Sequence, residues 1–165
     1  MHLRIFLLTV ALTISATLST SASAQMKRGL NVLGTELRVC STSPLTGYMR
    51  DGFCSLGASD FGKHGVCAEV TEEFLTYTKK RGNDLSTPAP HYNFPGLKPG
   101  DRWCLCVSRW KEAADAGVAP KVVLSATDEK VLKWVELEEL KEHAIAEGGD
   151  AEAKQGEEGG AKEDM

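Results

Sequence analysis

Hydrophobic and polar positions alternate most clearly over residues 103–107. Trp103, Leu105 and Val107 fall on one face of an extended segment, and Cys104 and Cys106 on the other. All five side chains can be buried, so the pattern predicts a strand covered on both faces and central in its sheet. Pro99-Gly100 marks the turn before it, and Ser108 is positioned to cap a helix over 109–116 that ends at Gly117. Upstream, Val66-Cys67-Ala68-Glu69-Val70 reads as a second strand. Thr71 then caps a helix over 71–81: Glu72 and Glu73 complement its first turn, Lys79, Lys80 and Arg81 its last, and Gly82 follows as the stop residue. Val70 and Leu75 are spaced as a hydrophobic staple.

Residues 121–126 predict a further strand, one helix after 103–107, at a spacing that suits a right-handed parallel crossover. Thr127 or Asp128 caps the last helical region, which carries Val131, Leu132, Val135, Leu137, Leu140 and Ala144 and is expected over 128–145. Near the start, residues 30–34 and 37–40 read as a small hairpin around Gly34-Thr35-Glu36. Residues 41–60 are rich in turn signals. Residues 83–101 form a loop of nineteen residues with four prolines, which Tyr92, Phe94 and Leu97 are expected to anchor. So long a segment without periodicity often serves a function. The expected architecture is a single compact α+β domain: a small mixed sheet with a βαβ unit and three to four helices.

Composition trims the ends. Arg4, an apolar run over 5–18 and the small residues Ala22-Ser23-Ala24 predict a signal peptide at 1–24, cleaved before Gln25. Its apolar run is too short and interrupted to span a membrane. The secretory pathway is the expected destination; initiation at Met26 instead gives a cytosolic form. Residues 25–28 are a short leader and 29–145 the domain. From 147 to 165, seven acids stand against two lysines, with five glycines and no large apolar side chain before Met165. Such a segment cannot offset its ordering entropy, so 146–165 reads as a disordered acidic tail. The remainder is near neutral, which argues against nucleic acid or an anionic membrane as partner.

Five cysteines change the picture. The number is odd, so in an oxidising compartment at least one stays free or pairs with another molecule. Cys104 and Cys106, two apart on a strand, sit at the outer limit of disulfide geometry and are not expected to bond each other. Cys54, His64, Cys67, Cys104 and Cys106 form a candidate metal or redox set, with zinc as the metal. Against it, no Cys-x-x-Cys pair is present, and buried cysteine commonly acts as a small hydrophobe. Structural disulfides are the third reading.

A second candidate is a pocket under the long loop. Asp84, His91, Asp101, Arg102 and Arg109 lie around Tyr92, Trp103 and Trp110, and two arginines can clamp a carboxylate or phosphate. Equally, Asp84 and Asp101 can satisfy loop amides while the arginines pair with acids. A cysteine nucleophile served by His64 or His91 is a third possibility, without a family-specific motif to support it.

Several strings resemble one family: Val-Cys-Ala-x-Val-Thr-x-Glu-Phe-Leu at 66–75, Gly-Asn-Asp-Leu-Ser-Thr-Pro at 82–88, Phe-Pro-Gly-Leu-Lys-Pro-Gly-Asp-Arg-Trp-Cys-Leu-Cys at 94–106 and Arg-Trp-Lys-Glu-Ala at 109–113. With Pro-Leu-Thr-Gly-Tyr-x-Arg-Asp-Gly at 44–52 and Ala-Gly-Val-Ala-Pro-x-Val-x-Leu at 116–124, they are similar to the domain of unknown function 2237 over about residues 29–145. The resemblance implies no catalytic residue, substrate or cofactor. Two departures stand out: the N-terminal signal and acidic tail, and Asp128 where relatives often carry His. Two functions stay open. One is a binding module for a small anionic or peptide ligand, using the 83–101 loop and the 102–110 strand–helix junction. The other is a thiol-based metal or redox protein. The long loop favours the first.

Overall fold

The computed structural model describes residues 29–146. The expected signal peptide at 1–24 and leader at 25–28, and the expected acidic tail from residue 147 on, lie outside the described residues. Three strands, β1 (Val66–Glu69), β2 (Arg102–Leu105) and β3 (Lys121–Val122), form a sheet in the order β2-β1-β3. Three α-helices accompany it: α1 (Glu72–Lys80), α2 (Val107–Asp115) and α3 (Leu137–Glu142). Short 3₁₀ segments lie at Pro90–Tyr92, Leu124–Ala126 and Glu129–Lys133. The fold is α+β, with its small sheet and three α-helices.

The strand order corrects one expectation. β1 is central, and β2 is at the edge. Residues 102–105 are nevertheless covered on their free side, because the 41–57 loop lies there: the Cys104 amide donates to Thr46 Oγ1 at 2.9 Å, and Cys104 is disulfide-bonded to Cys54. A loop does the covering that the burial pattern suggested a strand would do. The crossover is also changed. β2 and β3 are each antiparallel to β1, so they run parallel to each other with β1 between them. The βαβ unit is therefore split. Among the described residues, parallel pairing is confined to single bridges, Cys54 with Thr127 and Val122 with Ala144.

Alternation along the strands separates two apolar layers. Val66, Ala68, Trp103 and Leu105 face the main core with Phe74, Trp110, Val122 and Leu140. Trp110 is fully buried, and its Nε1–H donates to Pro120 O at 3.2 Å, which removes the cost of burying the indole nitrogen. Cys67 and Cys104 face the other way and pack with Cys40, Cys54, Val123 and Ala126.

Helix α1 starts where its sequence signals place it: the Phe74 amide donates to Thr71 Oγ1 at 3.1 Å. Helix α2 starts earlier than expected, with Cys106 rather than Ser108 at the N-cap, so the preceding strand ends at Leu105. The last helical region is broken. Asp128 caps only the 3₁₀ turn, and the chain straightens at Glu136 before α3 begins. The expected strand over 121–126 stops after two residues and turns into 3₁₀. At the start of the domain, the expected hairpin reduces to one bridge, Leu30 with Glu36, around Gly34 at φ 77°.

Candidate functional site

The first candidate set, Cys54, His64, Cys67, Cys104 and Cys106, is divided by disulfides. Cys67 bonds Cys40, and Cys54 bonds Cys104. Cys67 and Cys104 face each other in register across β1 and β2, yet each is bonded to a loop cysteine instead. Three of the proposed zinc ligands are therefore not available as thiolates, which corrects the zinc reading. Cys106 is the one free cysteine among the described residues, and it is partly exposed. Two disulfides are what an oxidising compartment permits.

Cys106 and His64 do come together. The Val107 amide donates to Lys63 O at 3.0 Å, which ties the start of α2 to the segment carrying His64. The Cys106 side chain does not cap its own helix; its thiol lies close enough to His64 to be the largest influence on the pKa of that imidazole. On the other side, fully buried Asp60 holds His64 twice: Oδ2 accepts from the His64 amide at 2.8 Å, and Oδ1 lies 2.7 Å from Nδ1. With Nδ1 occupied, Nε2 is the nitrogen left for Cys106. A Cβ on Gly62 would collide with the His64 ring, so the ring position requires glycine there. Tyr48 stacks on the same imidazole, with centroids 6.2 Å apart.

These neighbours raise the His64 pKa from 6.5 to about 9. The hydrogen bond to Cys106 is the largest cause. Burial opposes it, and the charge on Cys106 and the bond and charge of Asp60 add to it. His64 is therefore an imidazolium at neutral pH.

His64 also faces a cavity of about 370 Å³ under the long loop. Its walls include Tyr48, Arg50, Phe94, Trp103 and Tyr92. Arg50, at φ 52°, is held in place by its Nη1 donating to Gly47 O at 2.8 Å. Its guanidinium lies 5.0 Å from the Trp103 ring centroid. Phe94 tilts against the same indole at 5.2 Å. Leu97 is buried and anchors the loop, whereas Tyr92 is 77% exposed and borders the opening.

The second candidate set is scattered. Asp84 lines the cavity, but its carboxylate is occupied: it accepts from the Ser86 and Thr87 amides and the Thr87 hydroxyl, and pairs with Lys79 at 3.1 Å. The Thr87 hydroxyl and the Lys79 ammonium, with those amides, hold its pKa far below the ordinary carboxylate value. His91 sits exposed in the 3₁₀ turn at Pro90–Tyr92. Asp101 accepts from the Lys98 amide at 2.8 Å. Arg102 pairs with Glu69 at 3.3 Å, and Arg109 with Glu112 at 3.0 Å; neither lines the cavity. Sequence reasoning missed Asp60, Tyr48 and Arg50. An Asp-x-x-x-His spacing was the one available signal for Asp60. Arg50 offered none, because its place on the wall depends on the left-handed turn after Gly47.

Fold and site define a class: a small disulfide-bonded α+β domain that keeps one thiol beside an imidazole, with that imidazole on the wall of an aromatic cavity. The chain belongs to the family described as uncharacterized protein conserved in bacteria (DUF2237), whose model matches residues 30–144. Among curated proteins, none matches the chain. None of the described helices is long and apolar enough to cross a membrane.

Proposed function

We propose that this domain binds a small anionic molecule with a flat apolar body in the cavity beneath the 83–101 loop. One observation carries the reading: two cationic groups, Arg50 and His64, line a cavity of ligand size beside Tyr48, Tyr92, Phe94 and Trp103, and the one acid on its wall, Asp84, is already paired with Lys79. The aromatic rings suit the flat body, and Arg50 suits a carboxylate or phosphate by charge-assisted hydrogen bonds. The arginines expected to do this, Arg102 and Arg109, are already engaged with Glu69 and Glu112. We also infer that the domain works after export, a reading supported by its two disulfides.

The test uses aromatic carboxylates, benzoate and phenylacetate, as probes, followed by NMR shifts. Binding is expected to move the Arg50 Nε–H, Trp103 indole and His64 signals together. Arg50→Ala is expected to weaken binding by about tenfold or more, the usual worth of a charge-assisted hydrogen bond. Shifts confined to other surfaces, or binding indifferent to Arg50→Ala, would exclude the cavity as the site.

A further inference from the structure

We propose that Cys106 is a catalytic thiol nucleophile, with His64 as its acid–base partner and Asp60 as the positioning residue, acting on a small ester or thioester. The step rests on the cavity reading only through His64, which lines the cavity while the partly exposed Cys106 does not; the reactivity of the thiol does not rest on it.

Three independent features of the structure converge on this sulfur. Four of the five cysteines of the chain are consumed in disulfides, and the fifth is left free against an imidazole. The imidazole is bonded through Nδ1 to a fully buried carboxylate at 2.7 Å, which fixes its tautomer and leaves Nε2 for the sulfur. Cys106 is also the N-cap residue of a nine-residue helix, the end at which the helix dipole carries partial positive charge, although its side chain makes no capping bond. A nucleophile bonded to a base that is itself oriented by a third group is the arrangement thiol hydrolases use on unrelated folds. The groups facing His64 are Cys106 and Asp60 along its two nitrogens and Tyr48 on its face. Asp60 is not free to move, since its other oxygen holds the His64 amide.

The chemistry balances without an oxidant or a cofactor. The thiol proton resides on His64 Nε2 while the sulfur attacks the acyl carbonyl carbon. A carbon–sulfur bond forms, the bond to the leaving oxygen or sulfur breaks, and His64 returns the proton to the leaving group. His64 then takes a proton from water as it attacks the thioester on Cys106. The products are the free acid, the released alcohol or thiol, and the regenerated thiol.

The test begins with the native protein, where Cys106 is the single alkylatable cysteine. Iodoacetamide at pH 6 is expected to label Cys106 on the order of tenfold faster than in His64→Gln, because the imidazolium that favours the thiolate is gone. Asp60→Asn is expected to displace the pH–rate profile of labelling, which a merely structural role for Asp60 would leave in place. p-Nitrophenyl acetate is expected to release about one equivalent of p-nitrophenolate in a burst and to leave an acetyl group on Cys106; Cys106→Ser, with both disulfides intact, shows neither. Labelling at pH 6 no faster than in His64→Gln overturns the nucleophile, and labelling without acetylation overturns the acyl step. Neither reagent carries an anion, so their failure leaves the anion-binding reading standing, while failure of benzoate to bind leaves the thiol result standing.

Discussion

Replacing Cys54 and Cys104 together by alanine is expected to lower the unfolding free energy by about 4 kcal/mol, from loop closure alone. The bridge spans 50 residues of sequence, and opening it returns that chain entropy to the unfolded state. Both cysteines are buried, so truncation adds a packing loss to the entropic one. The site should suffer with the fold. Tyr48 and Arg50 lie on the loop that this bridge fastens to the edge of β2, and Thr46 of the same loop caps the free Cys104 amide. Urea unfolding of the double variant measures the first effect, and benzoate binding the second. A loss under about 1 kcal/mol would mean that the loop is held by its other contacts.

Asn31→Ala is expected to cost about 3–4 kcal/mol, although Asn31 belongs to no strand or helix. Its side chain is fully buried and completely used. The two hydrogens on Nδ2 are shared among three acceptors, Thr35 Oγ1 at 2.9 Å, Glu36 O at 3.0 Å and Ser125 O at 2.9 Å. Oδ1 accepts from the Leu33 amide at 3.0 Å and the Thr35 amide at 3.2 Å. The residue thus clamps its own turn and joins it to residue 125, ninety-four positions away. Alanine leaves several buried polar groups without partners, which costs more than the bonds themselves contribute. Thermal unfolding of Asn31→Ala against wild type measures it. A near-neutral result would show that water replaces the amide.

Local signals were legible in the sequence where the physics is local. Thr71, the acids after it and the cations before Gly82 define α1 almost to the residue. The alternation at Trp103, Cys104 and Leu105 is a real strand, and the sum of elements makes an α+β domain. What failed was long-range. Burial on both faces of 102–105 suggested a central strand, because periodicity reports coverage and not what provides it. The spacing of β2, α2 and β3 suggested adjacent parallel strands, and β1, thirty-odd residues earlier, lies between them. Cys40 was overlooked because it sits beside a turn-rich loop, 27 positions from Cys67, the cysteine it joins. Of the site, His64 and Cys106 were both visible as chemistry, but within a larger metal set. Which of the five cysteines stays free depends on the paired register of Cys67 and Cys104 with their loop partners, and on Cys106 leaving the strand to cap α2.

The central claim is that His64 is held as a cation between Cys106 and Asp60 on the cavity wall. Because its folded pKa is raised above the ordinary 6.5, its charge stabilises the fold fully below about pH 6.5, and that contribution is withdrawn as pH rises through about 9. The most direct measurement is an NMR titration of the His64 imidazole nitrogens from pH 5 to about 10 in wild type and Cys106→Ser. The account predicts a midpoint near 9 in wild type, with Nδ1 protonated throughout against Asp60, and a fall toward 6.5 when the thiol is lost. A wild-type midpoint near 6.5, unmoved by Cys106→Ser, would contradict it.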